Sequence, residues 1–344
     1  MAQNLSAMQI NLTKVFEGFN KLNVLVIGDV MIDAYMWGEV SRISPEAPVP
    51  ILSKTTHESR LGGAGNVALN IQSLGANPIL CAVIGKDSKS ELFLDLLKDN
   101  HLDASGIILS SDRVTTVKTR IISQNQHMLR LDEEDSSPIN EDLTIQLQML
   151  VGKLIKERKI DAIIFEDYDK GVITPNLIKF VVELATENNI PTLVDPKKRN
   201  FDDYRGVTFF KPNFKEFKEG QKVDIAKRDQ KQILSEAQKY LALTGNKYIM
   251  ITLAEQGVFI CGQRDFAFYP AQIRNIADVS GAGDTVISVS ALCLASNINP
   301  RLVAQIANMS GGLVCEKPGV VPIDKQILLD ECLKKISDLQ TDSV

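Results

Sequence analysis

The sequence predicts an α/β fold in which a mostly parallel sheet lies between two layers of helices. Apolar, β-branched runs alternate with segments of helical periodicity; the strand-like runs are LNVLVIGDV, PILCAVIG, DAIIFEDY, PTLVDP, VTFFKPN and KYIMITL. This alternation is typical of βαβ units, whose parallel strands are buried on both faces. We therefore expect residues 1–344 to form one large domain with a small embellishment.

Two stretches interrupt this alternation and predict a small second sheet. Residues 35–56 and 113–131 have extended patterns with polar alternation, and the three prolines of the first suit an edge strand. We expect strands within about 34–57 and 112–132 to form a lid that projects from the main sheet. Its apolar run VPIL, residues 49–52, would need cover from the substrate cleft or a second subunit, and we predict a homodimer through the lid.

Composition narrows the class of protein. The net charge of −5 argues against a nucleic-acid surface, which needs clustered excess Lys and Arg. No apolar stretch reaches the ~18 residues of a membrane span, and the N-terminus lacks a signal-peptide pattern. The five cysteines are far apart and mostly lie in apolar runs, which favours buried, reduced thiols. We therefore expect a cytoplasmic protein with small-molecule partners.

Several predicted strands end in polar residues. Turns and helix caps explain some of these residues, because Asp and Asn suit both. The others would face one cleft, since ligands of such sheets lie beyond the carboxyl ends of the strands. The residues concerned are Asp29, Asp33, Glu166, Asp167, Asp195, Asn213 and Thr252.

The stretch ADVSGAGDTVISVSAL, residues 277–292, combines small residues, a carboxylate and a long helical run. Gly281, Ala282 and Gly283 leave backbone N–H groups free at the start of the helix, which makes an anion site. The helix dipole favours the charged form of Asp284, which suits a base that stays ionised at neutral pH. An aspartate that only caps its helix is the alternative. The Rossmann and P-loop glycine motifs are both absent from the sequence.

A second glycine cluster lies in LGGAGNVALNIQS. Gly62 and Gly63 precede a helical pattern that opens at Asn66. The cluster is consistent with a tight turn and its cap. Alternatively, it forms a backbone-lined pocket for a polyhydroxylated ligand, with Asn66 and Asp33 as hydrogen-bonding side chains.

Three motifs together resemble those of the ribokinase-type (PfkB) carbohydrate kinases: GGAGN, KPNFKEF and DVSGAGDT, in matching order and spacing over about residues 20–335. The resemblance implies a ribokinase-like three-layer αβα sandwich and ATP-dependent phosphorylation of a sugar hydroxyl. The stretches SRISPEAPVP, VKTRIISQNQHMLRLDEE, EDYDKG and VDPK are similar to the branch that phosphorylates D-glycero-D-manno-heptose 7-phosphate at O1. That branch supplies ADP-heptose for the lipopolysaccharide core.

The resemblance also implies site residues. Asp284 would be the catalytic base, beside the anion site of Gly281, Ala282 and Gly283. Sugar contacts would come from Asp33, Gly62, Gly63 and Asn66, and contacts to the sugar phosphate from Lys118, Arg120 and Arg130. ATP contacts would come from Asp195, Lys197, Asn213, Glu216, Thr252, Gly257, Asn308 and Gly312.

Two cations follow from the same resemblance. Glu216 of the NxxE element would organise Mg²⁺, through waters because Mg²⁺ dehydrates reluctantly. Asp278 and Ser280 lie where some relatives bind a monovalent cation such as K⁺. One position departs from the family pattern T-x-G-x-x-G: Ala254 replaces its first glycine.

Two other functions fit parts of the sequence. A ribokinase or fructokinase would share the fold and the motifs but take an unphosphorylated sugar. A non-catalytic sugar-binding regulator built on a kinase fold would be expected to lose the base or the anion site, and this sequence keeps both.

Overall fold

The structure is a computed structural model that describes residues 11–124 and 126–341. Its strands are β1 (Asn23–Gly28), β2 (Val30–Ile43), β3 (Pro50–Gly63), β4 (Asn77–Gly85), β5 (Ile107–Ser110), β6 (Val117–Ser123), β7 (Gln126–Glu133), β8 (Ala162–Glu166), β9 (Thr192–Asp195), β10 (Phe209–Phe210), β11 (Tyr248–Thr252), β12 (Val258–Gly262) and β13 (Phe266–Tyr269). Its helices are α1 (Leu12–Gly18), α2 (Ala64–Ser73), α3 (Ser88–Asp99), α4 (Glu141–Glu157), α5 (Pro175–Glu187), α6 (Phe214–Gln221), α7 (Gln230–Thr244), α8 (Ala282–Ala295), α9 (Pro300–Cys315) and α10 (Lys325–Thr341).

The main sheet has nine strands in the order β13-β12-β11-β10-β9-β8-β1-β4-β5. From β5 to β11 neighbouring strands are parallel, and the two pairings of β12 are antiparallel. Parallel neighbours need crossover connections, and helices lie in these connections except between β9 and β10, where residues 196–208 form a loop. The predicted mostly parallel sheet is confirmed.

Two apolar cores flank this sheet, as alternation along β1 shows. Val24 and Val26 pack into the core formed with α1, α2, α3, α8, α9 and α10. Leu25 and Ile27 point to the opposite side, into the core formed with α4, α5, α6 and α7. All four side chains are fully buried, so the three-layer αβα sandwich follows from apolar side chains on both faces of each central strand.

The smaller sheet has the order β3-β2-β6-β7 and forms the predicted lid. The pairs β2–β3 and β6–β7 are antiparallel, and β2 and β6 are parallel. Strands β2 and β3 extend beyond the predicted range of about 34–57. Strand β2 begins at Val30, and β3 continues to Gly63 and leads directly into α2. The lid therefore joins the main domain at the glycine cluster.

The two faces of the lid differ in chemistry. On β7, Leu129 and Leu131 are exposed and alternate with Arg130 and Asp132. Successive side chains of a strand point to opposite faces, so one face is apolar and the other charged.

The cysteines and the helices bear on two expectations from composition, which concern the state of the thiols and membrane spans. The five cysteines are buried free thiols. None of the helices in the described part of the chain combines the length and apolar character that a membrane crossing needs.

The carboxyl ends of three central strands meet beneath α8. The register pairs Gly28 of β1 with Glu166 of β8, and Glu166 with Asp195 of β9. Open parallel sheets bind ligands at this edge. The structure thus gathers acidic strand ends that lie far apart in the sequence.

Close packing at this edge makes a specific glycine necessary. A Cβ atom at Gly28 would overlap the backbone carbonyl of Glu166, whereas one at Gly18, in α1, would meet nothing within 4 Å. We expect Gly28→Ala to lower the free energy of unfolding by about 1–3 kcal/mol, as overpacking does. Gly18→Ala is the control and should be neutral or stabilising by up to about 1 kcal/mol. Urea denaturation measures both, and equal stabilities of the two variants would contradict the packing.

Candidate active site

The N-terminus of α8 is open toward a cavity. Gly281, the residue before the helix, has φ of +78°, in the left-handed region that favours glycine. None of the described side chains caps this helix. The N–H groups of Gly283 and Asp284 are therefore available to an anion, whereas the Ala282 N–H donates to the Val279 carbonyl at 3.4 Å.

Asp284 lies in the first turn of α8 and is only 4% exposed. Its Oδ2 accepts a hydrogen bond from Asn66 Nδ2 at 2.6 Å, and its Oδ1 accepts one from the Tyr168 hydroxyl at 2.9 Å. Burial raises the pKa of Asp284 to about 6, against the opposing effect of these two donors. The carboxylate is therefore ionised at neutral pH but is a stronger base than an exposed aspartate.

Asn66 is held by a network between α2 and α8. The Asn70 side chain donates to the Asn66 carbonyl at 2.9 Å and accepts from the Thr285 hydroxyl at 2.9 Å. All of these groups are buried. The network fixes the second glycine cluster against the first turn of α8.

The glycines of that cluster permit close approach. A Cβ at Gly62 would overlap the Asp33 carboxylate, and a Cβ at Gly63 would overlap the carbonyl of Asp29. Gly63 also has φ of +58°. The structure thus brings the four residues expected to contact sugar, Asp33, Gly62, Gly63 and Asn66, to the end of the lid nearest Asp284.

The loop after β8 carries Tyr168, which the sequence did not indicate as a candidate site residue. The buried Asp29 carboxylate accepts hydrogen bonds from three backbone N–H groups of this loop: those of Tyr168 (2.8 Å), Lys170 (2.9 Å) and Val172 (3.0 Å). Tyr168 belongs to the EDYDKG segment, but its contact with Asp284 spans 116 residues of sequence.

Below α8 lies a group of buried carboxylates. One oxygen from each of Glu166, Asp195 and Asp284 lies within 4.8 Å of the others. The Lys211 ammonium, which is also buried, lies 2.8 Å from Asp195 Oδ2. Burial, and then the charges of Asp195 and Asp284, raise the pKa of Glu166 well above its usual range. The sequence predicted Asp195 as a site residue and marked Glu166 only among the polar strand ends, whereas it missed Lys211.

A cavity of about 790 Å³ begins at the N-terminus of α8 and extends toward α9. Ala282 and Gly283 line it at one end. The residues expected to contact ATP that line it are Asn213, Thr252, Gly257, Asn308 and Gly312. A cavity of this size and apolar character suits a nucleotide-sized ligand.

Two other residues expected at the ATP site, Glu216 and Lys197, lie at the start of α6 or beside it, next to Asn213. Asn213 and Glu216 form a capping box, in which Glu216 Oε2 accepts from the Asn213 N–H at 2.8 Å. Glu216 Oε1 accepts from Lys197 Nζ at 2.6 Å. Lys197 also lies 5.1 Å from the centre of the Tyr168 ring. Both Glu216 oxygens are thus engaged, which fits a contact to Mg²⁺ through water.

The loop after β11 has a strained backbone where the sequence departs from the family pattern. Ala254 has φ of +52° and Gly257 has φ of +91°. The first value is a conformation that glycine adopts without cost and alanine rarely adopts. Alanine thus occupies a left-handed position at which glycine would be free of strain.

The lid places Arg120 beside the sugar residues. Arg120 forms an ion pair with Asp33. Its guanidinium lies 5.2 Å from the centre of the Tyr35 ring, and the Arg60 guanidinium lies 5.1 Å from the same ring. Arg60 also donates to the carbonyl of Val320 at 3.2 Å. Arg60 had no motif to mark it in the sequence.

The other two predicted cations lie in an ion network toward β7. Lys118 Nζ lies 3.0 Å from Asp132 and 2.7 Å from Glu134. Arg130, which is exposed, pairs with Asp132 at 2.9 Å. Lys170 Nζ lies 2.8 Å from the other oxygen of Glu134, so this network joins the lid to the loop that carries Tyr168.

The residues expected near a monovalent cation shape the turn before α8. Asp278 accepts hydrogen bonds from the N–H groups of Ser280, at 2.9 Å, and Gly319, at 3.1 Å. Both carboxylate oxygens of Asp278 therefore accept hydrogen bonds from backbone N–H groups.

An anion-binding helix end, a buried base and a nucleotide-sized cavity on an α/β sandwich are the features of an enzyme that transfers phosphoryl groups. The chain belongs to the pfkB family of carbohydrate kinases, whose family model matches residues 21–326. It is therefore a sugar kinase, a phosphotransferase with a hydroxyl acceptor.

Similar proteins include the bifunctional protein HldE of Methylobacillus flagellatus, which is 37% identical over 327 residues, covering 95% of this chain and 66% of that protein. The bifunctional protein HldE of Desulfatibacillum aliphaticivorans is 39% identical over 310 residues, covering 89% of this chain and 62% of that protein. The chain thus spans less than two thirds of the length of these relatives.

Solved structures share the fold at low sequence identity. Tetrameric, inhibited phosphofructokinase-2 from Escherichia coli superposes with a TM-score of 0.73 at 17% identity, over 90% of this chain and 99% of that chain. Arabidopsis thaliana ribokinase complexed with ribose and ATP gives a TM-score of 0.68 at 15% identity, over 90% and 98% of the two chains. The predicted ribokinase-like fold is confirmed.

The raised pKa of Asp284 has a consequence for stability. The folded protein binds a proton at Asp284 more tightly than the unfolded chain does, so stability falls as the pH rises from about 4 to about 6. We expect Asp284→Asn to increase the free energy of unfolding at pH 8 by about 1–3 kcal/mol, because it removes a buried charge.

Chemical denaturation at pH 8 and pH 4 measures this effect, and the gain should shrink at pH 4. Asp142→Asn is the control, since Asp142 lies in the first turn of α4 but is exposed. A gain of equal size at both pH values, or in the control, would contradict the assigned burial effect.

Proposed function

We propose that the protein is an ATP-dependent kinase that phosphorylates D-glycero-D-manno-heptose 7-phosphate at O1. The product would be the 1,7-bisphosphate, a precursor of ADP-heptose and the lipopolysaccharide core. The observation that carries the kinase chemistry is the buried Asp284 carboxylate, oriented by Asn66 and Tyr168 beside an uncapped helix N-terminus. The heptose substrate is supported by the lid sequence SRISPEAPVP and by the similarity to the HldE proteins.

In this proposal Asp284 accepts the proton of the anomeric hydroxyl as its oxygen attacks the γ-phosphorus of ATP. The bond from that phosphorus to the β,γ-bridging oxygen breaks, and ADP leaves with the electron pair. The transition state is loose, so catalysis depends on alignment and on neutralising charge. The N–H groups of Gly283 and Asp284 would donate hydrogen bonds to the phosphoryl oxygens, as would that of Ala282 in exchange for its bond to the Val279 carbonyl. The Lys211 ammonium lies close below Gly283.

Mg²⁺, which the family implies, would neutralise the ATP phosphates when bound. Glu216 would hold it through water, since Lys197 and the Asn213 N–H already occupy its two oxygens. A K⁺ ion near Asp278 and Ser280 would contact main-chain oxygens, because the Asp278 carboxylate holds backbone N–H groups.

For the sugar, Asp33 would accept hydrogen bonds from hydroxyls and Asn66 would donate to them. Gly62 and Gly63 would contribute backbone contacts, since their missing Cβ atoms make room for the Asp33 carboxylate and the Asp29 carbonyl. The 7-phosphate would be held by lid cations. Arg120 is the best placed of the three predicted cations, because it already contacts Asp33. Arg60, which lies over the same Tyr35 ring and pairs with Glu58, is a further cation nearby. The ammonium of Lys118 and the guanidinium of Arg130 are both paired with Asp132 toward β7. Arginine suits this role since its fork matches phosphate oxygens.

ADP release measured across a panel of acceptors tests the proposal. Heptose 7-phosphate should give a much higher kcat/KM than ribose, fructose or unphosphorylated heptose. A preference for an unphosphorylated pentose or ketose would instead indicate a ribokinase or fructokinase. No turnover with any sugar, together with tight sugar binding, would indicate a non-catalytic regulator.

The same assay tests the base. Asp284→Asn should lower kcat by roughly 10²–10⁴-fold, because positioned general-base catalysis contributes about that much. ATP binding, measured by calorimetry, should change little, and the exposed Asp142→Asn should turn over normally. Near-normal turnover of Asp284→Asn would rule out this residue as the base.

We also propose that the apolar face of the lid pairs with a second copy of the chain. Large apolar side chains are exposed on the lid and the loop within it, namely Ile43 (60%), Val49 (51%), Leu129 (60%) and Leu131 (52%). Exposed apolar side chains on an edge strand such as β7 favour association.

Sedimentation velocity over a range of concentrations should therefore show a dimer. The double variant Leu129→Lys, Leu131→Lys should be monomeric, since it places charges in the contact. Met149→Lys changes an equally exposed residue of α4 and should leave the dimer intact. A wild-type monomer at every concentration would refute the pairing.

A further inference from the structure

The two side chains that donate to Asp284 differ in their other contacts. Asn66 is also expected to contact the sugar, whereas Tyr168 is not among the residues expected to contact sugar or ATP. The Tyr168 hydroxyl donates to Asp284 Oδ1 at 2.9 Å, and the Asp284 side chain is buried. Water can therefore supply little of the solvation that an ionised carboxylate needs. A hydrogen bond from the protein has a correspondingly large effect on whether Asp284 carries a proton.

The loop that carries Tyr168 is held in one backbone conformation. The Tyr168 N–H donates to the buried Asp29 carboxylate at 2.8 Å. The next residue, Asp169, has φ of +56°, and its N–H donates to Asp167 Oδ1 at 2.9 Å. A residue other than glycine keeps such a conformation only where its surroundings determine it. The loop therefore presents the Tyr168 ring to Asp284 in a fixed direction.

Tyr168 is held as a neutral hydrogen-bond donor. Burial, and then the charge of Asp284, raise the pKa of Tyr168 well above its usual range. The Lys197 ammonium lies 5.1 Å from the centre of the ring, in a cation–π contact that holds the ring in place. The phenol thus keeps its proton at neutral and mildly alkaline pH and remains available to donate to Asp284.

We propose that Tyr168 is a positioning residue for the base: its hydroxyl holds Asp284 in the ionised form and thereby sets the lowest pH at which the enzyme turns over. The effect on turnover rests on the proposed function, whereas the effect on ionisation does not. Burial raises the pKa of Asp284 to about 6, and the hydrogen bond from Tyr168 opposes this rise because it favours the charged form. Without the hydroxyl that pKa should be higher, since Asn66 would be the donor left among the described side chains.

Other charged groups face Asp284 and the Tyr168 ring from neighbouring strand ends and the loops after them. Asp195 raises the pKa of Asp284, and Lys211 lowers it. The complete set comprises Glu166, Asp195, Lys197 and Lys211. Tyr168→Phe leaves all of these groups, and the ring itself, in place. A change in the ionisation of Asp284 in this variant therefore reports the hydroxyl alone.

The ionisation of Asp284 can be followed without turnover. In protein labelled with ¹³C at the aspartate carboxyl groups, the Asp284 signal is identified by its absence from Asp284→Asn. Tyr168→Phe should move the titration midpoint of that signal upward by about one pH unit, the scale expected for a lost hydrogen bond to a charged group.

Tyr204→Phe is the matched control. The Tyr204 hydroxyl donates to another buried carboxylate, that of Asp167, at 2.8 Å. Its removal should raise the midpoint of Asp167 and leave that of Asp284 unchanged. Circular dichroism at the assay temperature establishes that both variants are folded.

The pH dependence of kcat, measured as ADP release with saturating MgATP and heptose 7-phosphate, tests the effect on turnover. The acid limb of the Tyr168→Phe profile should move to higher pH by about one unit, because this limb reports the base in the bound complex. At pH 9 the kcat of the variant should lie within about tenfold of the wild type, and the loss should be larger at pH 6. In an Asp284→Asn background the same change should lower the residual kcat by less than about twofold, since no carboxylate is left to ionise.

Two results would overturn the proposal. One is an Asp284 midpoint that does not move in Tyr168→Phe. The other is a loss of kcat by the same factor at every pH and in the Asp284→Asn background, as expected if Tyr168 only supports the fold. A wild-type protein without sugar-kinase activity, together with a shifted Asp284 midpoint in Tyr168→Phe, would instead reject the proposed function and leave the effect of Tyr168 on Asp284 standing.

Discussion

The hydrogen bonds of Asp29 are the constraint on which the rest of the site depends. The Asp29 carboxylate accepts hydrogen bonds from three backbone N–H groups of the loop after β8. The Asp29 N–H donates to the carbonyl of Glu166, and the Asp29 carbonyl accepts from the N–H of Ala64 at the start of α2. One buried residue at the end of β1 thus joins the Tyr168 loop to the helix that carries Asn66. Those two side chains are the hydrogen-bond donors to Asp284. The position of the base is therefore determined from the middle of the sheet.

The same edge of the sheet concentrates buried charge at a cost in stability. Glu166, Asp167 and Asp284 all have raised pKa values, chiefly because burial disfavours their charged forms. Burial of the apolar cores on both faces of the sheet offsets the cost of these buried carboxylates. A helix N-terminus and the Lys211 ammonium partly offset the negative charge. Groups arranged in this way are poised to receive phosphates and cations, which is consistent with kinase chemistry.

The lid connects substrate recognition with the same loop. Its charged face carries Asp33, Arg120 and Lys118. Lys118 is the register partner of Asp33, but its ammonium pairs with carboxylates toward β7. Glu134 pairs with both Lys118 and Lys170, so the lid is tied to the segment that presents Tyr168. Partly buried ion pairs of this kind hold orientation more than they add stability.

The sequence by itself determined the layered fold, the lid, the open N-terminus of α8 and the prominence of Asp284. These depend on local patterns: apolar periodicity, glycines before helices and a carboxylate in a first turn. Only the tertiary structure decided which groups meet there. Tyr168 and Asn66 reach Asp284 across 116 and 218 residues, Lys211 finds Asp195 through adjacent strands, and Arg60 approaches Tyr35 because β2 and β3 pair. No local pattern marks such residues, because their roles arise from strand order and burial. Likewise, the sequence marks Glu166 only as a polar strand end. The fold shows that it is buried and that no described residue donates a hydrogen bond to its carboxylate.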